Sequence, residues 1–151
     1  MNRFPKSILQ LALVSLLLLT APVSLLAGQT QPDYNFDVRV TSLLRTSTNF
    51  AGQQIKYPHK HPAEVSILVV TIPPGKQTGW HTHPVPLFGY VLSGEITVDI
   101  QGHGKHTFQK GDTLAECVKL LHNGVNTGKI PVRLLIFVAG EKSVPFTVKK
   151  A

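Results

Sequence analysis

Apolar and polar residues alternate along much of the chain after position 60, which is the pattern of strands that bury one face of a sheet. The alternation is cleanest over residues 95–100, where Ile96, Val98 and Ile100 fall on one face and polar side chains fall on the other. Dense β-branched runs at 65–72 and 132–139 also favour strands. Because no segment has a sustained helical period, the pattern predicts an all-β protein.

Glycine and proline turns divide the chain into many short strands. We predict strands at 36–44, 54–57, 65–72, 87–92, 95–100, 105–108, 113–121, 124–126 and 132–139. Short strands at regular spacing with such turns are typical of a barrel or sandwich of jelly-roll type. The 151 residues, 42% of them hydrophobic, are enough for one packed core, so we expect a single globular domain.

The first 27 residues have the pattern of a secretory signal peptide. Arg3 and Lys6 precede an apolar stretch over 8–19, and Ala27 is a small residue suited to cleavage. The alternative is a retained membrane anchor, because 8–27 is just long enough to span a bilayer. We expect cleavage, which predicts an exported protein of the bacterial periplasm or the extracellular space, a mature domain over 28–151, and no stable membrane anchor.

The net charge limits the classes of partner, and the cysteine content shows whether disulfides can stabilise the chain. Cleavage would remove Arg3 and Lys6, which lowers the 15 basic side chains to 13 against 8 acidic ones and leaves a net charge of +5. These basic residues are scattered, so we expect no nucleic-acid partner. Cys117 is the only cysteine, and no disulfide can form within one chain. We expect Cys117 to act as a small buried hydrophobe.

Three histidines carry the strongest chemical signal. His81 and His83 lie two residues apart in a segment with strand character, so both imidazoles point to one face. His122 follows about forty residues later, after a turn and another apolar run. Two histidines from one strand and one from a distant strand can form a three-nitrogen metal site.

The first of these segments resembles the first motif of the cupin superfamily. That motif reads Gly, five residues, His-x-His, three or four residues, Glu, six residues, Gly. Here Gly75, His81, His83 and Gly94 stand at the matching positions. The acidic position is occupied by Leu87, which cannot bind a metal ion.

The second segment resembles the second cupin motif, which reads Gly, five residues, Pro-x-Gly, two residues, His, three residues, Asn. Gly111, His122 and Asn126 match it, whereas residues 117–119 replace the Pro-x-Gly turn. The resemblance covers about 65–139, and the chain also resembles the small exported single-domain cupins of the conserved-barrel type. It implies a double-stranded β-helix, which is a jelly-roll barrel.

The resemblance also implies one divalent metal ion, held by His81, His83 and His122. Cupins favour Fe(II) or Mn(II), and three imidazoles are compatible with Zn(II), Cu(II) or Ni(II) as well. Three neutral ligands leave the charge of the ion uncompensated, which favours an anionic ligand in its open positions. The alternative is that loss of the acid at Leu87 marks a cupin without metal.

Further residues of the site are suggested by the face to which strand residues point and by the size of their side chains. The expected substrate pocket consists of Trp80, Leu87, Phe88, Tyr90 and Cys117. Glu116 and Tyr90 are the catalytic candidates. Glu116 has the parity of His122, so it is a candidate general acid or base, or a substitute for the missing ligand, while a surface glutamate is an equally weighted alternative. His59 and His61 lie between prolines and are expected in a solvated loop.

These residues favour a metal-dependent enzyme, dioxygenase-like in type, that acts on a small anionic or chelating organic molecule. The alternative is a non-catalytic exported cupin that binds a metal or a small molecule. A polar side chain such as Glu116 or Tyr90 that converges on the open side of the ion would favour the enzyme. We also expect a homodimer, formed through an edge strand at 36–44 or 132–139.

Overall fold

The computed structural model of the chain describes residues 38–150, which form nine strands and no helix. The strands are β1 (Ala63–Ile72), β2 (His81–Thr82), β3 (Leu87–Ser93), β4 (Glu95–Ile100), β5 (Gly104–Gln109), β6 (Thr113–Ala115), β7 (His122–Val125), β8 (Val132–Glu141) and β9 (Val148–Lys149). All nine belong to one compact unit. The predicted signal peptide and the first two residues of the predicted strand 36–44 lie outside the described residues. Within the described part of the chain, no helix is long and apolar enough to cross a membrane.

The strands form two antiparallel sheets whose neighbours are mostly not consecutive in sequence. One sheet has the order β1-β8-β3-β6 and the other has the order β5-β4-β7-β2-β9. The longest pairing joins β1 to β8, from Ala63 opposite Glu141 to Ile72 opposite Val132. This topology confirms the predicted all-β jelly-roll barrel.

The core lies between the two sheets and follows the alternation seen in the sequence. On β4, Ile96, Val98 and Ile100 are buried and Glu95 is exposed, as predicted. On β8, alternate residues from Val132 to Val138 are buried in the same way. Each such apolar side chain contributes about 1.5–3 kcal/mol to stability when it is fully buried. The inner faces of the two sheets therefore hold the barrel together.

Two predicted strands are absent or nearly absent, and one predicted dimer edge is wrong. Residues 38–44 are not a strand, and the strand predicted at 54–57 is reduced to one isolated bridge between Gln54 and Thr48. Residues 132–139 cannot serve as an edge for dimerisation, because β8 is paired on both sides, with β1 and β3. Among the described strands, the edges of that sheet are the long strand β1 and the three-residue strand β6.

The strand predicted at 113–121 ends at Ala115 because side chains replace the next strand as hydrogen-bond partners. Asn49 Nδ2 donates to the carbonyl of Glu116 at 3.2 Å, and Gln53 Nε2 donates to that of Val118 at 3.1 Å. Gln53 Oε1 accepts from the amide of Val118 at 3.0 Å. The turn over residues 49–53 therefore holds the backbone that carries Glu116.

Backbone contacts hold the segment of the second cupin motif in place although it departs from that motif. Lys119 stands where the motif has glycine, and it adopts the left-handed conformation with φ of 61°. Its amide donates to the carbonyl of His83 at 2.8 Å. Asn126 is fully buried, and its Nδ2 donates to the carbonyls of Ile72 and Ile130. These contacts fix the two ends of the segment that carries His122.

Candidate metal centre

The three histidines predicted from the sequence lie together inside the barrel. His81 on β2 is directly opposite His122 on β7, and His83 lies just after β2. All three are buried. The ring centroids are 4.3 Å apart for His81 and His122, 4.8 Å for His81 and His83, and 4.9 Å for His83 and His122. Strand pairing therefore brings residues forty positions apart into one cluster.

Each histidine has its Nδ1 atom next to a backbone carbonyl. The distances are 2.7 Å from His81 to Gly79, 2.7 Å from His83 to Phe146, and 2.9 Å from His122 to Leu120. Nδ1 can only donate to a carbonyl, so the other ring nitrogen, Nε2, is left with a lone pair in the neutral ring. This arrangement, in which one nitrogen donates and the other ligates, is characteristic of metal-binding histidines.

The three rings fit a metal ion. One ligand nitrogen from each ring lies within 4.8 Å of the others, and the group could hold an ion. Among the described residues, Nε2 of His122 is a buried nitrogen that no well-formed hydrogen bond reaches, and the nearest acceptor, Oε2 of Glu116, is 3.5 Å away. An unpaired buried polar atom is costly, and an ion at the centre of the cluster would satisfy it.

Glu116 brings a carboxylate to the same point. Its Oε2 atom lies 3.1 Å from Nε2 of His83 and 3.5 Å from Nε2 of His122. Two ligands at about 2.1 Å from one ion and at right angles lie about 3 Å apart, so these distances suit shared coordination. The donor set is therefore three imidazole nitrogens with one carboxylate oxygen within reach.

Glu116 and His122 shift one another's pKa values. Burial, the largest effect, raises the pKa of Glu116, but the contacts with His122 and His83 outweigh it and lower the pKa to about 2. Burial likewise lowers the pKa of His122, yet its contacts with Cys117, Glu116 and the Leu120 carbonyl raise it to about 10. The pKa of His81 is lowered, chiefly by burial. Without an ion, the site is therefore stabilised by a proton on His122 and a charge on Glu116.

The cluster forms part of the wall of a cavity of about 180 Å³. Leu87 lies in this wall, and so does Glu116. Most of the remaining wall is aliphatic and comes from both sheets: Leu68, Val70, Ile96, Val98, Leu114, Leu134 and Ile136. The C-terminal segment adds Phe146, Thr147 and Lys149. The space beside the histidines is thus apolar, with a few polar groups at one side.

Four of the predicted pocket residues lie elsewhere. Phe88 and Tyr90 point to the opposite face of β3 from Leu87, because successive residues of a strand alternate, and they line a separate recess on the outside of the sheet. Trp80 is 38% exposed and does not line the cavity. Cys117 lies behind the site, with Sγ at 3.3 Å from Nδ1 of His122. Tyr90 therefore lies outside the cavity that contains the histidines.

The second histidine pair is not part of the cluster. His59 and His61 are exposed, and the amides of Lys60 and His61 donate to Oε1 of Glu141. Both histidines lie in the connecting segment before β1, as predicted. The C-terminal residues of the cavity, in contrast, were not predicted, since the two-residue strand β9 carries no periodic signal.

Comparison with known proteins supports the same fold. The family described as "Cupin domain" matches residues 68–138. No curated protein sequence matches the chain. Among solved structures, DMSP lyase DddQ from Ruegeria pomeroyi DSS-3 is similar with 23% identity and a TM-score of 0.50, over 57% of this chain and 43% of the lyase. The oxalate decarboxylase of Lactobacillus farciminis, in a formate complex, is similar with 22% identity and a TM-score of 0.50, over 56% of this chain and 26% of that enzyme. The matched part of the chain thus spans less than half of either enzyme, and the likeness shows the fold.

Proposed function

The chain belongs to the cupin superfamily, and we propose that it is a metal-dependent enzyme that acts on a small anionic or chelating organic molecule. The observation that carries this proposal is the convergence of Glu116 on three histidines whose Nδ1 atoms all face carbonyls. These groups lie in the wall of an apolar cavity large enough for a small ligand.

His81, His83 and His122 would hold the ion through Nε2, with Oε2 of Glu116 as a fourth ligand. Bound there, a divalent ion would supply a Lewis acid and, in the case of iron, redox chemistry. Carboxylate oxygen in the donor set suits Fe(II) and Mn(II), whereas Zn(II), Cu(II) and Ni(II) remain the competing ions. The charge on Glu116 also offsets part of the charge of the ion.

The protein contributes orientation and exclusion of water. The aliphatic wall formed by residues such as Leu87, Val98 and Ile136 keeps the reacting groups in a medium of low polarity, where electrostatic interactions are stronger. An apolar site of this kind suits oxygenation of a bound organic molecule. We therefore propose a dioxygenase type of reaction as the first activity to test.

The alternative is a non-catalytic exported cupin that binds a metal or a small molecule. A binding protein needs no charged side chain beside the open positions of the ion. Glu116 lines the cavity beside the histidines and Tyr90 does not, but as a fourth ligand Glu116 would serve a binding protein as well as an enzyme. Turnover of a bound molecule would support the enzyme, and ligand binding without turnover would support the alternative.

Two further proposals concern the setting of the protein. We propose that it is exported to the periplasm or the extracellular space, on the basis of the signal-peptide pattern. We also propose that it forms a homodimer through β1, whose second edge has no partner among residues 38–150. Val65, Ile67 and Val69 on this strand are 70%, 62% and 53% exposed, which is unusual for a row of β-branched residues.

The experiment that tests the proposed function is elemental analysis of the mature domain, purified without a tag or chelators from its exported compartment. Near-stoichiometric iron or manganese is expected, and it should be lost in His122→Ala and retained in His59→Ala. Oxygen consumption with small chelating carboxylates then tests the reaction. Stoichiometric zinc or copper would redirect the search to hydrolysis or metal handling, and a folded protein without metal would overturn the proposal.

A further inference from the structure

Lys149 lies beside the metal ligands although it is far from them in sequence. Strand β9 pairs with β2 in antiparallel orientation, and Lys149 is directly opposite His81. Residues opposite one another in such a pair have Cβ atoms about 4.5–5.5 Å apart and project to the same face. Lys149 accordingly lines the same cavity as His81.

The cavity contains one permanent cation of the protein. Among the described residues of its wall, Lys149 is the only lysine or arginine. None of the ion pairs formed within the described part of the chain involves Lys149. Its exposed position lets the ammonium group meet an incoming anion without first breaking an internal contact.

The charge balance of the site leaves room for one or two negative charges. A divalent ion with Glu116 as ligand has a net charge of +1, and the ammonium group of Lys149 adds another positive charge. The charge of a carboxylate matches this pair of cations, because each of its two oxygens can interact with one of them.

The wall beyond these groups is aliphatic, so the rest of the ligand should be apolar. Leu68, Val70 and Leu134 are among the residues that would contact it. A cavity of about 180 Å³ admits only a compact molecule. Burial of each methylene group would contribute about 0.8 kcal/mol.

We infer that Lys149 is the anion-recognising residue of the site and that the ligand is a small carboxylate with a compact apolar body. This inference rests on the proposed function, because it requires an ion on His81 and its partners. The carboxylate lies between the ion and Lys149, and the apolar body extends along the aliphatic wall. Lys149 is thus a specificity-determining residue.

The test uses the mature protein loaded with Co(II), whose visible spectrum reports ligands that enter the open positions. Butyrate serves as the anionic probe and imidazole serves as the neutral probe. In Lys149→Met, the dissociation constant of butyrate should rise about 5-fold, as expected for an exposed charge pair, and that of imidazole should stay within about 2-fold. Lys149→Arg should retain most of the butyrate affinity.

Lys150→Met is the matched control, because the adjacent lysine is exposed and does not line the cavity. An equal rise in the dissociation constant of butyrate in both variants would indicate an effect of net charge alone and overturn the inference. Equal weakening of both probes in Lys149→Met would indicate distortion of β9 and overturn it too. If the wild-type protein takes up no Co(II), the proposed function itself fails, which is a different result from normal loading with unchanged butyrate binding.

Discussion

Glu116 is the cross-strand neighbour of Leu87, and its amide donates to the Leu87 carbonyl at 2.8 Å. The register of β3 and β6, in which Phe88 is opposite Ala115, places these two residues opposite one another one step further along. Both side chains line the cavity. The chain thus has no acid at position 87 of the first cupin motif, but it has one directly opposite, just after β6, that faces the same cavity.

This relationship predicts that a carboxylate at position 87 can replace the carboxylate of Glu116. Glu116→Leu should raise the dissociation constant of the metal by at least about 10-fold, because a negatively charged donor is lost. Addition of Leu87→Glu in the same chain should recover most of the affinity, since the two positions are opposite on one face. Titration with Fe(II) or Co(II) under anaerobic conditions measures both effects.

The exchange Glu95→Leu on the exposed face of β4 is the matched control, and it should leave metal binding unchanged. A double variant that binds metal no better than Glu116→Leu alone would show that the two positions are not equivalent. Unchanged affinity in Glu116→Leu would remove Glu116 from the ligand set.

The sequence was sufficient for the fold class and for the three histidines, because a period of two indicates strands and the resemblance to the two cupin motifs includes all three positions. His81 and His83 share a face for that reason, and the barrel topology brings His122 to them. The side chain of Glu116 points inward, as its parity with His122 suggested, but parity is a weak guide across a turn, so the sequence left two alternatives open. Lys149 could not be predicted, since a two-residue strand has no pattern and its pairing with β2 exists only in three dimensions.

The metal-free protein should be most stable in a window of mildly acidic pH. The pKa of Glu116 is lowered from 4.5 to about 2, so its contribution is present above pH 4.5 and is lost as the pH falls toward 2. The pKa of His122 is raised from 6.5 to about 10, so its contribution is complete below pH 6.5 and is lost as the pH rises toward 10.

Thermal melting in the presence of a chelator, at several values between pH 3 and pH 10, measures this window. Glu116→Gln should make the melting temperature depend less on pH at both the acidic and the alkaline end, because charged Glu116 and protonated His122 stabilise one another. In the presence of metal the alkaline limb should reverse, since binding requires His122 to lose its proton and therefore strengthens as the pH rises. A melting temperature that is independent of pH without metal would contradict the coupling.

Replacement of Lys119 by glycine should stabilise the protein by about 0.5–1 kcal/mol. Lys119 has a φ of 61°, a conformation that costs a residue with a side chain about 1–2 kcal/mol, and glycine avoids this cost at the expense of some entropy. Denaturant unfolding measures the difference. Lys119→Ala retains the strained backbone and should leave the free energy of unfolding unchanged, so equal stabilisation by alanine would show that the side chain and not the backbone is responsible.

The proposed dimer should be disrupted by a charge on the exposed row of β1. Ile67→Lys would place an ammonium group in an apolar interface, and light scattering at micromolar concentration should then report a monomer. Thr107→Lys on β5, the edge strand of the other sheet, should leave the dimer intact. A wild-type monomer, or a dimer that tolerates Ile67→Lys, would exclude pairing through β1.

Gln53 should affect metal binding although it does not line the cavity. Its side chain makes two hydrogen bonds to the backbone of Val118, and it accepts a third from Asn49 Nδ2 at 2.7 Å. Gln53→Ala should free the backbone that carries Glu116 and weaken metal binding by about 10-fold. Gln54→Ala, an exposed neighbour, should have no such effect.

The double variant of Gln53→Ala with Glu116→Gln distinguishes positioning from simple loss of stability. If Gln53 acts through Glu116, its removal should cost little more metal affinity once the carboxylate is gone, so the two effects should not add. The visible spectrum of the Co(II) protein should also shift in the same direction in both single variants, because both alter the same ligand. Additive losses with an unchanged spectrum would show that Gln53 supports only the fold.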